Sequence, residues 1–128
     1  MELQLSYPLE TVIISQVFGA NPQMYSDPKY GGIKGHNGLD FMAQHGTPIY
    51  ATHDGFAQYQ IDGGGGHGVV IITDKEVELK DGRVCYWKSI SWHLCDGLKE
   101  TKFASPLQGK TGFTKVKNGE LIGYADNT

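Results

Sequence analysis

The sequence predicts an all-β domain, mainly antiparallel, of the small sandwich or sheet type. Three observations predict it. Short runs of β-branched and aromatic residues alternate with turn residues. The 18 glycines mostly flank those runs, where tight turns need the positive φ that glycine supplies. No stretch keeps a helical period. At 128 residues, with no linker-like segment and no internal repeat, the chain is read as a single domain, long enough to bury a core.

The expected elements follow in order. Val12-Ile13-Ile14-Ser15-Gln16-Val17-Phe18 reads as a first strand stopped by Gly19. Residues 20–35, with two prolines and three glycines, read as a long loop whose Met24, Tyr25 and Tyr30 either line a groove or pack over the core. Gly38–Met42 is a short strand, and Ile49–Thr52 another. His53-Asp54-Gly55 reads as a hairpin turn into the strand Phe56–Ile61. After the run Gly63 to Gly66, the segment His67–Asp74 reads as a buried strand. Lys80-Asp81-Gly82 is a second hairpin turn, leading into one long strand, Arg83–Leu94. On that strand Tyr86, Lys88, Ile90, Trp92 and Leu94 would share one face, and Cys85, Trp87, Ser89, Ser91 and His93 the other. Residues 95–114 read as an irregular insertion, and Val116–Tyr124 as a hairpin built on Asn118-Gly119.

Composition narrows the function classes. A formal net charge of -3 leaves no basic footprint, so nucleic acid is not an expected partner. No apolar run is long enough to span a bilayer, so no membrane association is expected. The first residues, Met1 to Leu5, have neither the basic region nor the apolar core of a signal peptide. Cys85 and Cys95, placed on one extended strand, would stand roughly 33 Å apart, so both are expected as free thiols unless the strand breaks. Cysteine pairs with metal-binding spacing are lacking.

The chemistry-bearing motif is Gly35-His36-Asn37-Gly38-Leu39-Asp40. His36 and Asp40 are four apart, which on a strand puts them on one face, and a neutral imidazole with a carboxylate makes a good pair of zinc ligands. The run continues as Phe41 to Ala57, through Gly46-Thr47-Pro48-Ile49-Tyr50-Ala51 and Asp54-Gly55. In this form it resembles the first zinc motif of the lysostaphin/LytM-type peptidases, which cut peptide bonds of bacterial peptidoglycan. Ile14–Gly19, Gly66–Ile71 and Val116–Thr128 resemble further segments of that family, in the same order. The resemblance implies one zinc ion on His36 and Asp40, and His93, in Ser91-Trp92-His93-Leu94, as the catalytic histidine. Tyr25 and Tyr30 of the long loop are the candidates for a substrate groove, His67 in the Gly-rich turn either touches substrate or fills the turn, and His45 and His53 are read as surface loop residues.

The family closes with a His-x-His strand whose second histidine is the third protein ligand; no His-x-His occurs in these 128 residues. The domain is therefore expected to be C-terminally incomplete. Zinc and activity are expected to be weak in the isolated chain, with a further segment or a second chain completing the site. The implied partner is peptidoglycan peptide, stem or cross-bridge. The implied location is the cell wall, whether extracellular, periplasmic or virion-associated, as for a phage lysin. A non-catalytic wall-binding or regulatory module and a virion structural protein are the alternatives. Retention of His36, Asp40 and His93 favours the enzyme over a pure binder.

Overall fold

The computed structural model describes residues 3–27 and 38–126. Its contacts divide the chain into two compact units: Met1–Glu10 with Gln44–Thr128, and Thr11–Ala43. Almost all regular structure is antiparallel β, as the sequence predicts. Among the described residues no helix is long and apolar enough to cross a membrane.

In the smaller unit, β1 (Ile14–Gln16) pairs with β2 (Asp40–Phe41), bringing Ile14 opposite Phe41 and Gln16 opposite Asp40. The Met42 N–H donates to the Ile13 carbonyl at 2.8 Å and extends the ladder by one rung. The strand is three residues long rather than the seven predicted, with Ile13, Ile14, Val17 and Phe18 all exposed. The expected loop after it contains one turn of helix, α1 (Pro22–Ser26). Pro22 takes the first helical position, where its missing N–H costs nothing. Five residues are too few for a sequence period to reveal.

The larger unit is organised by two long bent strands that run side by side. One comprises β3 (Pro48–Tyr50) and β4 (Gly55–Ile61); the other, β9 (Thr114–Val116) and β10 (Leu121–Tyr124). β3 pairs with β10, and β4 with β9. The Asp54-Gly55 and Asn118-Gly119 motifs therefore do not close hairpins, contrary to expectation. They lie at the bend where each strand leaves one sheet for the other. There the Ala51 N–H donates to the Glu120 carbonyl (2.8 Å), the Gly119 N–H to the Ala51 carbonyl (2.9 Å), and the Asn118 N–H to the Asp54 carboxylate (2.6 Å). Gly55 is required because a Cβ would run into the Ile72 carbonyl group.

β4 continues into β5 (His67–Ile72) through a loop folded around Asp62, whose carboxylate accepts the N–H groups of Gly64 and Gly66. β8 (Lys88–Trp92) completes a four-stranded sheet in the order β8-β5-β4-β9. Between β5 and β8, the short strands β6 (Val77–Glu78) and β7 (Val84–Cys85) form the hairpin predicted at Lys80-Asp81-Gly82. The predicted strand 83–94 is thus two strands, separated where Trp87 exchanges hydrogen bonds with Thr73. Both cysteines are free thiols, as expected.

Register assigns the faces of the sheet. Ala57, Val69, Ile71 and Val116 point one way and are buried; Phe56, Ile90 and Trp92 point the other and are about two-fifths exposed. On β8 the alternation predicted for Lys88 to Trp92 holds, with Ser89 and Ser91 on the inner face. It fails at Leu94, which is buried because His93 breaks the strand with φ 66°. The irregular segment 95–114 packs through Leu107 and Ser105, whose hydroxyl donates to the Ile122 carbonyl.

Ile71, central in the sheet and 2% exposed, gives a direct test of this core. Ile71→Ala is expected to cost about 2–5 kcal/mol and Ile71→Val about 0.5–1.5 kcal/mol. Both should lower the urea midpoint without changing the denaturant slope.

Candidate functional site

Of the residues singled out in the sequence, His36 and Tyr30 lie outside the described residues. Tyr25 lies in α1. Asp40 opens β2 and is half-buried; its backbone carbonyl accepts a long hydrogen bond from the Ser15 hydroxyl at 3.4 Å. These positions belong to the smaller unit, whereas His93 and His67 belong to the larger one.

His93 follows β8 directly and is exposed. Its φ of 66° is left-handed, a region that a non-glycine residue occupies at a cost of roughly 1–3 kcal/mol. The neighbouring backbone enforces this conformation. The Asp126 N–H donates to the His93 carbonyl (2.8 Å), the Leu94 N–H to the His67 carbonyl (3.0 Å), and the Cys95 N–H to the Tyr124 carbonyl (2.8 Å). The end of β10, Asp126 beyond it and the start of β5 thus clamp the chain at the His93 carbonyl and through the two residues that follow. Torsions of this kind concentrate where a side chain must be aimed.

His67 is 13% exposed and sits in a polar network. The Tyr59 hydroxyl lies 2.8 Å from His67 Nδ1 and donates to the Cys95 carbonyl at 3.2 Å. A phenol has one proton, so both contacts hold together when Nδ1 carries its own hydrogen. His67 Nε2 then faces an Asp96 carboxylate oxygen at 3.7 Å. The Gln108 amide (2.8 Å) and the Leu98 N–H (2.9 Å) donate to Asp96 and hold its carboxyl below the usual range, aided by the charges of His67 and Lys99. Burial pushes the Tyr59 phenol up to about 12, with the negative charge of Asp96 and then Cys95 adding to the effect.

Two histidines expected at the surface behave differently. His53 is 1% exposed, which corrects the surface-loop reading. It tolerates burial because both ring nitrogens are satisfied: Nδ1 by the Asp54 carbonyl (2.8 Å) and Nε2 by the Ser89 hydroxyl (2.9 Å). His45 is exposed but gathered into a cluster with Cys95, Glu100 and Asp126. One donor atom from each of the four lies within 4.8 Å of the others, close enough to hold a metal ion. Burial raises the Cys95 thiol pKa, and the carboxylates of Asp126 and Glu100 reinforce that, against a lowering contribution from the Gly46 N–H. No local spacing announces this cluster, because its members come from three separate segments: His45, the stretch that holds Cys95 and Glu100, and Asp126.

The Tyr59 environment is measurable. In an absorbance titration one phenol should ionise near pH 12, well after tyrosines of ordinary pKa near 10. Tyr59→Phe should remove that step. Because the folded value lies above the unfolded one, the stability Tyr59 contributes is complete below about pH 10 and is lost as pH rises towards 12.

The chain matches no protein-family model and no solved structure. It is similar to a protein of Haemophilus influenzae described as an uncharacterized metalloprotease, with 32% identity over 123 residues. The match takes in 95% of this chain and 21% of the relative, so the chain spans about a fifth of the length of the curated relative it matches.

Proposed function

We propose that the chain supplies most of a zinc endopeptidase domain of the lysostaphin/LytM type, acting on the peptides of bacterial peptidoglycan at the cell wall. The observation that carries this reading is the likeness to a metalloprotease along nearly the whole chain, a stretch that includes the His36/Asp40 motif. The donor set fits the metal by its chemistry, since an imidazole and a carboxylate are ordinary zinc ligands. The third protein ligand comes from outside these 128 residues, from a following segment or a second chain.

In this reading His36 and Asp40 hold the ion. When bound, zinc supplies Lewis acidity that activates water and polarises the scissile carbonyl. The remaining work belongs to the protein. His93 takes up the proton of the attacking water or donates to the developing oxyanion, which requires an imidazole held within hydrogen-bond reach. Its clamped left-handed backbone supports that role by fixing the direction of the ring before substrate arrives. In the same reading, substrate contact falls to Tyr25, Tyr30 and His67, the last held by Tyr59.

The test uses this chain extended through a His-x-His segment, incubated with labelled cell walls. Metal-dependent release of soluble peptide fragments is expected from the extended chain and not from the 128 residues alone. Asp40→Ala should abolish release through loss of zinc. His93→Ala should lower kcat by about 10²–10⁴-fold with the metal still bound. An extended chain that leaves walls intact, or a His93→Ala variant of full activity, would remove the proposal.

A further inference from the structure

We infer that the larger unit carries a divalent-metal site of its own, in which His45 Nε2, Cys95 Sγ and Glu100 Oε2 are the ligands and Asp126 is the outer carboxylate that orients the imidazole. The inference is independent of the peptidase reading, because none of these residues belongs to the His36/Asp40 motif or coincides with His93.

Geometry divides the four roles. His45 Nε2 is 2.6 Å from Glu100 Oε2 and 3.9 Å from Cys95 Sγ. The other ring nitrogen, Nδ1, faces Asp126 Oδ1 at 3.2 Å. One imidazole gives a metal one lone pair, so Nε2, with the thiol and a carboxylate on its side, is the ligating atom. Nδ1 keeps its hydrogen and donates to Asp126. This is the carboxylate–histidine–metal relay that fixes the tautomer and raises the basicity of the ligating nitrogen. Around a tetrahedral zinc, with bonds of about 2.0–2.3 Å, neighbouring donors stand about 3.3–3.6 Å apart. The observed 2.6 and 3.9 Å straddle that spacing. The Glu100 side chain is 39% exposed, so it can swing aside by the fraction of an ångström required.

The ligands are held in place by contacts that need no metal. The Gly46 N–H donates to the Ala125 carbonyl at 2.7 Å, keeping His45 beside the end of β10. Phe103 packs edge-on against the His45 ring, with centroids 5.4 Å apart and planes at 83°. It also lies so close to Gly46 that a Cβ there would meet its ring at 2.6 Å. Cys95 is 1% exposed and anchored by its N–H to Tyr124; its thiol donates to the Ala125 carbonyl at 3.2 Å without metal, and releases that proton to solvent when the sulfur ligates. Glu100 is placed by its own N–H, which donates to the Asp96 carbonyl at 2.9 Å, at the start of the 3-10 turn Thr101–Phe103. A thiolate and two carboxylates would bring three negative charges together, which a divalent cation offsets. Thiolate with imidazole and carboxylate suits a borderline-soft ion of the zinc and cobalt kind rather than magnesium or calcium. Three protein ligands leave a fourth position, on the side where His45 and Glu100 reach solvent.

Cobalt(II), added alone to the full 128-residue chain, is the probe, because a cobalt–thiolate bond absorbs by charge transfer. One equivalent should produce that band, and zinc should displace it. Cys95→Ser should abolish the band, while Cys85→Ser and Asp40→Ala should leave it intact. Asp126→Asn should weaken binding about 10–100-fold, the range for loss of an outer-sphere partner. Glu100→Gln should weaken it more. Because Cys95 is buried, circular dichroism accompanies each variant; if Cys95→Ser fails to fold, Glu100→Gln and Asp126→Asn decide. A chain without the band, a band carried by Cys85, or unchanged affinity in both carboxylate variants overturns the site.

Discussion

The larger unit depends on one ladder, the pairing of residues 48–57 with residues 114–124, which changes sheets halfway along. Strand β3 against β10 and strand β4 against β9 are the two halves of a single antiparallel contact. At the bend, hydrogen bonds from Ala51, Gly119 and Asn118 keep the ladder closed while each strand turns. The bend lets one strand pair serve two sheets. It buries Ala51, Val116 and Ile122 together and carries the end of β10 to the point where Leu94 bridges Ala125. Without it, Asp126 and Tyr124 could not reach the His93 carbonyl and the Cys95 N–H.

That ladder also explains which parts of the fold were legible in the sequence. Strand identity was, because burial writes itself into the pattern: as alternation in Phe56–Ile61, and as a continuous apolar run in the segment read as His67–Asp74, whose strand ends at Ile72. Turn chemistry was legible too, but its meaning was not. Asp54-Gly55 and Asn118-Gly119 have the residues of hairpin turns and do bend the chain sharply. Whether such a pair reverses a strand onto itself or hands it to another sheet depends on which distant strand is hydrogen-bonded alongside, and no local pattern records that. By contrast, Lys80-Asp81-Gly82 was read correctly because β6 and β7 have only each other to pair with in the sheets described.

The candidate site divides along the same line. His36, Asp40 and His93 could be named because they sit in contiguous motifs with a family resemblance. His53 was misplaced because its partner, Ser89, lies 36 residues away on the inner face of β8. A sequence offers no sign that a histidine has found a hydroxyl and a carbonyl to satisfy it. The His45 cluster was missed for a similar reason. Its residues are brought together by the Gly46–Ala125 hydrogen bond and the Leu94–Ala125 bridge, both long-range contacts of the β10 end.

A single torsion connects the two chemistries proposed for this unit. In an unbroken strand, side chains alternate, so His93 and Cys95 would share one face and Leu94 would take the other. The left-handed φ at His93 cancels that alternation. Leu94 and Cys95, consecutive in sequence, are both buried, at 2% and 1% exposure, while His93 stays at the surface. The exposed imidazole is thereby separated from the buried thiol two residues on. Asp126 spans the division, its N–H on the His93 carbonyl and its carboxylate on His45. One residue thus ties the backbone at His93 to the imidazole of His45, although the two histidines lie 48 positions apart in the sequence.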